Sequence, residues 1–389
     1  MIMNKSVDLI ATTAFGLEAI TARELDRLGY TERTTENGRI YFKSDLEGIC
    51  KCNMWLRTAN RVLINVGQFK ALTFDELFEG TKALPWEEWL PENAVFPVDG
   101  KSVKSKLFSI SDCQAIVKKA IAERLKSVYK KDWIDETGSL YKIEVSLLND
   151  IATLTIDTSG HGLHKRGYRQ EVGDAPLKET MACGLLYISR WRPDRVLLDP
   201  FCGSGTIPIE AAMIAMNIAP GLKQKFDSEN WEQIPESLWQ KTRRHAENAI
   251  LHDAKLRIYG SDVNYFQISL AQKHAELAGV KDKIHLQKLD FASTSSRYEY
   301  GFIITNPPYG ERLMKKNEII DLYKRMGMHF KKFSTWSYYI ITSYDEFEKV
   351  FGRHADKKRK LYNGALKCNY YQYFGPKPRR EENAVDIKQ

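Results

Sequence analysis

The chain has 389 residues, with 58 Lys and Arg against 50 Asp and Glu, which gives a formal net charge of +8. Its 43% hydrophobic and 28% charged residues exclude a wholly disordered or fibrous chain, and its length suits two or three domains of roughly 150 residues. No apolar run approaches the ~20 residues of a membrane-spanning helix, so we expect no membrane association. The six cysteines form no Cys-x-x-Cys pair and the histidines supply no matching spacing, so we expect no metal site, no disulfides and a cytoplasmic location.

The first 65 residues predict a small α+β unit. Short β-type runs occur at 7–11, 39–42 and 59–69, and a helical apolar pattern extends from 17 to 29. A second unit is expected from 66 to 160, with a strand at 95–98, a helix at 113–129 capped by Asp112, and strands at 141–147 and 151–156.

The positive charge of the chain is concentrated in the second unit. Residues 101–131 carry nine Lys and Arg but only Asp112 and Glu123 as acids, a net +7. A solvated helix face is the simpler explanation, but the serines between the cations favour a surface that contacts phosphates. A basic linker at 161–175 follows. The candidate RNA-binding residues are Lys101, Lys104, Lys106, Lys118, Lys119, Lys165, Arg166 and Arg169.

From residue 176 to 389 the pattern becomes strand–helix–strand. Apolar strands are expected at 196–198, 256–259, 284–289, 302–304 and 338–341, with helices between them. This alternation predicts an α/β fold with a doubly wound parallel sheet. Asn363-Gly364 lies between two β-type runs, which predicts an antiparallel hairpin at the edge of that sheet.

A glycine-rich segment follows the first of these strands. Two glycines permit a tight turn and a close approach of a ligand at the carboxyl end of the strand. A dinucleotide fingerprint is disfavoured because Pro208 replaces its third glycine, and the Gly-Lys-Ser/Thr of a phosphate loop is missing. The candidate cofactor-binding residues of the segment are Asp199, Pro200, Phe201, Gly203, Ser204, Gly205 and Thr206.

Acidic residues end the next two strands. Asp262 after the second strand can accept both hydroxyls of a ribose. Asp290 after the third strand can accept from an adenine amino group, and Phe291 can cover the base. Each acid alone is more often a helix cap, but their repetition at consecutive strand ends favours an adenosine site.

The fourth strand ends in Asn306, Pro307, Pro308 and Tyr309. The prolines stiffen the backbone and remove two donors, which leaves the Pro307 carbonyl as an acceptor beside the Asn306 side-chain oxygen. Two convergent acceptors suit an exocyclic amino group, and Tyr309 offers a ring on which an extruded base can stack. The simpler alternative is a proline turn with an exposed tyrosine.

These segments resemble known enzymes. Residues 199–206 with 306–309 resemble the motif pair of class I S-adenosylmethionine-dependent methyltransferases that act on amino groups of nucleobases. Residues 103–108, 164–169, 175–180 and 360–364 resemble the bacterial THUMP-domain RNA methyltransferases. Within that group the whole chain is similar to the N2-guanine half of the large-subunit ribosomal RNA guanine methyltransferase.

The resemblance implies a Rossmann-like methyltransferase domain preceded by a ferredoxin-like and THUMP RNA-binding region. It also implies S-adenosylmethionine as the methyl donor, S-adenosylhomocysteine as its product, and N2 of an RNA guanine as the acceptor. Pro176 and Glu179 match the segment that closes the cofactor pocket.

The sequence leaves several alternative functions to be weighed against this resemblance. Neighbouring subgroups act on transfer RNA, and a DNA adenine-N6 methyltransferase would share the residues at 306–309 but would not explain the basic region before residue 160. A non-catalytic RNA-binding protein should have lost the glycine turn and the strand-end acids, all of which are present. A dinucleotide oxidoreductase is disfavoured by Pro208 and by the distance in sequence to Asp262.

Overall fold

The computed structural model describes residues 6–169, 177–309 and 316–378. The chain forms two compact units, one made of residues 1–167 with 217–251, the other of residues 168–216 with 252–389. Each unit contains its own seven-stranded sheet. Pro176, expected beside the cofactor pocket, lies outside the described residues.

The elements are numbered in chain order. The strands are β1 Val7–Thr13, β2 Arg33–Glu36, β3 Arg39–Ser44, β4 Ala59–Lys70, β5 Val98–Val103, β6 Lys142–Leu148, β7 Ile151–Asp157, β8 Leu197–Asp199, β9 Ile258–Asp262, β10 Ile284–Lys288, β11 Phe302–Thr305, β12 Ser337–Thr342, β13 Lys357–Asn363 and β14 Leu366–Tyr373. The helices are α1 Glu18–Leu28, α2 Leu46–Trp55, α3 Phe74–Lys82, α4 Ile110–Tyr129, α5 Glu179–Ser189, α6 Thr206–Ala215, α7 Glu236–Asn248, α8 Tyr265–Ala278, α9 Lys316–Phe330 and α10 Phe347–Phe351. Within the described ranges no helix combines the length and hydropathy needed to cross a membrane.

Strand β4 joins the two predicted N-terminal regions into one sheet, whose order is β2-β3-β1-β4-β7-β6-β5. Residues 59–64 of β4 pair antiparallel with β1, and residues 63–70 pair antiparallel with β7. Leu63 and Ile64 pair with both neighbours, and a bulge in the pairing with β7 follows them between Asn65 and Gly67. The expected domain boundary at residue 65 therefore falls inside a continuous 12-residue strand.

Two elements of this unit begin at residues other than those expected. Helix α4 starts at Ile110, and Ser109 is its N-cap residue instead of Asp112. The Ser109 hydroxyl donates to the Asp112 carboxylate at 2.5 Å, and the acid lies in the first turn, where the helix dipole favours negative charge. Strand β5 starts at Val98, and Val95 makes only an isolated bridge.

Residues 217–251, which interrupt the predicted methyltransferase domain, belong to the first unit and complete its core. The Trp231 ring stacks on Tyr141 at 4.6 Å between centroids, and its Nε1 donates to the Leu140 carbonyl at 2.9 Å. The Trp239 ring stacks on Phe226 at 5.2 Å. An insertion in the sequence is therefore an integral part of the apolar core of the first unit.

The second sheet has the order β10-β9-β8-β11-β12-β14-β13. Pairs from β10 to β12 are parallel, whereas β14 pairs antiparallel with both β12 and β13. Parallel neighbours need crossover connections, and helices α6, α8 and α9 lie in them. The expected α/β fold with an antiparallel C-terminal hairpin is confirmed, and the carboxyl ends of β8 to β11 lie at one edge of the sheet.

Helix α9 packs against this sheet through apolar residues three and four positions apart, the spacing that places side chains on one helix face. Its rings join those of β12, α10 and β14 in one aromatic core. The buried residues of α9 in this core are Ile319, Leu322, Tyr323, Met326 and Phe330. The helix is thereby fixed beside the loop that follows β11.

We predict that Trp231→Ala lowers the free energy of unfolding by about 3–5 kcal/mol, because it removes a buried stacked ring and leaves a cavity. Trp133→Ala is the matched control, since Trp133 is 72% exposed whereas Trp231 is 2% exposed. Urea unfolding followed by circular dichroism measures both. Equal stability of the two variants would contradict a structural role for residues 217–251.

Candidate active site

Four chain segments meet at the carboxyl ends of the parallel strands. Asp199 ends β8, Asp262 ends β9, Asp290 follows β10, and Asn306 follows β11. These strands are neighbours in the order β10-β9-β8-β11, so the structure brings all four predicted segments to one edge of the sheet.

The Asp199 carboxylate ties two of these segments together. Its Oδ1 accepts a hydrogen bond from the Thr305 hydroxyl at 2.6 Å and another from the Phe201 amide at 3.2 Å. Burial raises the pKa of the Asp199 carboxyl to about 7 from its ordinary value of 3.8, and the charge of Asp262 adds to the rise, against the effect of the two hydrogen bonds. One buried acid therefore holds the predicted cofactor turn, residues 199–206, next to the end of β11.

The two glycines of the cofactor turn adopt the positive φ angles that a tight turn requires. Gly203 and Gly205 have φ angles of 51° and 85°, which favour glycine. A Cβ on Gly205 would lie 3.0 Å from the Cβ of Ala271 in α8, so the turn also needs glycine for close helix packing. The Gly203 amide donates to Asp262 Oδ2 at 3.1 Å, which fixes the turn to the end of β9.

The predicted adenine-binding residues occupy two environments. The Asp290 carboxylate accepts from the Ala292 amide at 2.8 Å and lies 3.7 Å from the Arg325 guanidinium. The Phe291 ring is buried, with its centroid 5.1 Å from that of the half-buried Phe201. Phe201 is thus the more accessible of the two rings, and Phe291 supports it from the core.

Asn306 carries a buried acceptor without a partner. Its Oδ1 is shielded from solvent and makes no hydrogen bond within the part of the chain that the structure describes. A buried polar atom costs free energy unless a partner satisfies it. The carboxamide oxygen is therefore placed to accept a hydrogen bond from a ligand.

Residues that the sequence analysis missed fix the rest of this loop. The buried Tyr323 hydroxyl donates to the Pro308 carbonyl at 2.9 Å and lies 2.9 Å from the Thr342 hydroxyl. The Tyr309 hydroxyl interacts with the Asn363 side chain and the Cys368 thiol, and burial raises the pKa of Tyr309 to about 12. Asn363 lies in the hairpin motif noted in the sequence, but no local pattern distinguishes Tyr323 from an ordinary core tyrosine.

Arg169 was predicted to bind RNA, and the structure places it beneath the cofactor turn instead. Its guanidinium lies 3.3 Å from the Glu179 carboxylate and bonds the Thr206 hydroxyl and the Leu177 carbonyl. The Arg169 and Glu179 side chains are 10% and 3% exposed. This buried pair anchors the start of α6, which places Glu179 next to Thr206 at the end of the glycine-rich turn, and Arg169 is not a surface contact.

Arg166 also differs from its expectation. It is 3% exposed, and its guanidinium donates to the carbonyls of Leu163 and of Arg57, the latter at 2.5 Å. Because its donors point into the first unit, we remove it from the proposed RNA contacts. Lys165 beside it is exposed.

The positive charge of residues 101–131 is partly neutralised in the folded protein by acids that lie outside this segment of the sequence. Acids from other segments pair with several of its cations, for example Glu144 with Lys101 at 2.6 Å and Glu136 with Lys118 at 2.5 Å. Arg124 and Lys131 pair with Glu87 and Glu92. Of the predicted contacts in 101–131, Lys104, Lys106 and Lys119 are exposed without such a pair in the described structure.

Among the residues that the structure describes, no group of three or more His, Cys, Asp or Glu is placed to hold a metal ion. The six cysteines are buried free thiols in this structure.

Comparison with known proteins identifies a ferredoxin-like, a THUMP and a methyltransferase domain along the chain, in the order that the resemblance implies. The family described as RMKL-like, methyltransferase domain matches residues 166–372, the RlmL ferredoxin-like domain matches residues 8–63, and the THUMP domain matches residues 71–157. YpsC of Bacillus subtilis (strain 168), which carries the provisional name of an RNA methyltransferase, is 50% identical over 98% of this chain and 100% of its own length. A ribosomal RNA large subunit methyltransferase K/L of Psychromonas ingrahamii is 34% identical over 93% of this chain, which spans 49% of that longer protein.

Solved structures agree with the fold. SMU.472, provisionally described as a methyltransferase and crystallised with S-adenosylhomocysteine, is 45% identical with a TM-score of 0.92, over 97% of this chain and 100% of that chain. A Listeria monocytogenes protein described as a predicted N6-adenine-specific DNA methylase is 53% identical with a TM-score of 0.91, over 96% of this chain and 97% of that chain. The family match covers more than half of the 389 residues, and the chain therefore belongs to the RMKL-like methyltransferases, with a ferredoxin-like and a THUMP domain before its methyltransferase domain.

Proposed function

We propose that the protein transfers a methyl group from S-adenosylmethionine to the exocyclic N2 of a guanine in large-subunit ribosomal RNA, in the cytoplasm. The observation that carries this proposal is the buried Asn306 oxygen at the end of β11, which has no hydrogen-bond partner among the described residues and lies beside the cofactor turn. The THUMP match and the names of the relatives support RNA as the substrate, and the K/L relatives support ribosomal RNA.

The cofactor would lie along the carboxyl edge of the second sheet. The positive-φ turn at Gly203 and Gly205 leaves room for its methionine part, Asp262 would take the ribose, and Asp290 with the two rings Phe201 and Phe291 would hold the adenine. The aromatic pair and the acids fit an adenosine ligand, and the bound complex of SMU.472 is consistent with this fit. When bound, the cofactor supplies an electrophilic methyl group.

The residues after β11 would orient the acceptor base. The Asn306 oxygen accepts one N–H of the exocyclic amino group and the Pro307 carbonyl accepts the other, which directs the nitrogen lone pair outwards. The Tyr309 ring, fixed at its hydroxyl by Asn363 and Cys368, stacks on the base. No covalent nucleophile is needed, because alignment alone lowers the barriers of intramolecular reactions by roughly 7–11 kcal/mol.

Adenine N6 in DNA is the second candidate acceptor, since the name of the Listeria homologue specifies it and the same two acceptors suit that amino group. Transfer RNA is a third. Mass mapping of ribosomal RNA, transfer RNA and genomic DNA from cells that lack the protein distinguishes them. We expect one N2-methylguanine to be missing from large-subunit RNA, and restored by purified protein with labelled cofactor. A full set of N2-methylguanines would reject the proposal.

We predict that Asn306→Ala lowers kcat roughly a hundredfold or more, the scale seen when one preorganised polar group of an active site is removed. Cofactor binding should stay within about twofold of the wild type, because Asn306 lies outside the cofactor turn. The exposed Asn317→Ala is the control and should keep full activity. Wild-type turnover in Asn306→Ala would reject its part in holding the base.

We predict that Tyr323→Phe lowers kcat about tenfold without changing the KM for the cofactor, because the Pro308 carbonyl loses its donor and residues 306–309, the acceptor loop, are held less firmly. Tyr338→Phe is the matched control. Its buried hydroxyl also donates to main-chain carbonyls, those of Phe330 and Phe333 at 2.6 and 2.7 Å. Both variants should lose about 1–3 kcal/mol of stability. Equal activity losses in both variants would mean that Tyr323 serves stability alone.

We predict that cofactor affinity rises between pH 6 and pH 8, because the Asp199 carboxyl has a pKa of about 7 and ionises in that interval. The pKa of the Asp199 carboxyl in the folded protein is higher than its ordinary value of 3.8, so the protein without cofactor becomes less stable as the pH rises through 7. A bound cationic cofactor offsets that loss of stability. Asp199→Asn keeps the acceptor for Thr305 and Phe201 and should bind with a flat pH profile. Calorimetric titration at three pH values measures both, and parallel profiles would exclude Asp199 as the titrating group.

A further inference from the structure

The tip of the C-terminal hairpin lies at the active-site end of the second sheet. Strand β12 ends at Thr342, which pairs with Asn369 of β14. Residues 366–368 and their partners in β13 therefore extend beyond the end of β12, on the side where the acceptor loop leaves the neighbouring strand β11. Gly364 in the turn has a φ angle of 65°, and a Cβ there would meet no atom of the described residues within 4 Å, so the turn is open at Gly364.

One face of this tip already belongs to the active site. Asn363 and Cys368, which bond the Tyr309 hydroxyl, lie on the same face of the hairpin because Leu361 pairs with Cys368 and Asn363 pairs with Leu366. The hairpin is thus in direct contact with the residue proposed to stack on the target base.

The opposite face of the tip carries cations. Lys360 pairs with Asn369 and Tyr362 pairs with Lys367, so Lys360, Tyr362 and Lys367 share that face. Both lysines are exposed, and neither forms an ion pair with any residue in the described ranges. The segment 353–367 holds six Lys and Arg against Asp356 alone, a net +5 that the sequence analysis left without a role.

Protection of an edge strand is the competing explanation, since lysines on edges prevent sheets from pairing with one another. It accounts for Lys357 and Lys358 on β13, which is the edge strand, and Lys358 is in addition neutralised by Glu348. It is the weaker explanation for Lys367, because β14 pairs with both β12 and β13 from Asn369 onward and only its first residues, 366–368, extend past the end of β12 beside the turn. The two unpaired lysines are also at the active-site end of the hairpin, where strand pairing is already ended by the turn.

We propose that Lys360 and Lys367 bind the phosphates of the RNA nucleotides next to the target guanine, so that the hairpin holds Tyr309 with one face and the substrate backbone with the other. The inference rests on the proposed function in taking RNA as the substrate. It adds a second contact surface, within the methyltransferase unit itself, to the lysines of the THUMP domain. Positive charges at phosphates position a nucleic acid without reading its sequence.

The test compares Lys360→Gln/Lys367→Gln with the control Lys331→Gln/Lys332→Gln in the full-length protein. Lys331 and Lys332 are exposed and precede β12, so they lie at the opposite end of the sheet. The probe is deproteinised large-subunit ribosomal RNA from cells that lack the protein, bound in a filter assay without cofactor at several salt concentrations. Methyl transfer to the same RNA and cofactor affinity are measured in parallel.

We expect the hairpin variant to bind RNA at least fivefold more weakly, with a slope of log K against log salt that is less steep by about 1.4, the value for two phosphate contacts to a single strand. Its affinity for the cofactor and its melting temperature should equal those of the control. A slope and affinity like those of the control would overturn the inference. A reduced slope without methyl transfer by the wild type would reject ribosomal RNA as the substrate and leave the hairpin contact supported.

Discussion

The hydrogen bond between Thr305 and Asp199 is the constraint on which the site depends. Strands β8 and β11 are parallel neighbours, paired through Phe302–Leu197 and Ile303–Leu198, so their carboxyl ends are already adjacent. The bond of 2.6 Å continues this pairing one step further, at the point where the cofactor turn leaves one strand and the acceptor loop leaves the other. Methyl transfer between a bound donor and a bound acceptor depends on their separation, and this contact holds the two segments proposed to bind them side by side.

The acceptor loop is held from three directions by groups far apart in sequence. Thr305 fixes its start, Tyr323 of α9 fixes the Pro308 carbonyl, and the hairpin fixes the Tyr309 hydroxyl. Each of these partners is buried or half-buried, so their hydrogen bonds do not compete with water. A rigid loop is what the proposed chemistry needs, because a base held loosely by Asn306 would lose the alignment that replaces a nucleophile.

The convergence of the candidate site residues could be predicted from sequence, but the contacts that support those residues could not. Asp199, Asp262 and Asn306 were found because each follows an apolar strand, and strand ends in an open parallel sheet converge by topology alone. Tyr323 could not be found, because its role depends on which carbonyl lies opposite it across the sheet. Arg169 was misplaced for the same reason, since a basic linker in sequence gives no sign that its guanidinium meets Glu179 and Thr206.

The net charge of a sequence segment also predicted the RNA-contacting surface poorly. The net +7 of residues 101–131 counted only acids in the same window, whereas Glu136 and Glu144 of later segments neutralise Lys118 and Lys101. The hairpin segment, with fewer cations in total, keeps two of them unpaired at the tip. Electrostatic attraction for a polyanion depends on the cations that remain free at the surface. In the described ranges these include Lys104, Lys106 and Lys119 of the first unit and Lys360 and Lys367 of the hairpin, and the hairpin belongs to the same unit as the candidate active site.

The position of residues 217–251 has a consequence for folding. The core of the first unit includes Trp231 and Trp239, yet residues 168–216, which belong to the second unit, precede them in the chain. During synthesis the first unit therefore cannot complete its core until β8 and α6 of the second unit have also left the ribosome. The two units have separate sheets and cores, but they cannot fold strictly one after the other, because residues 168–216 lie between the two chain segments of the first unit.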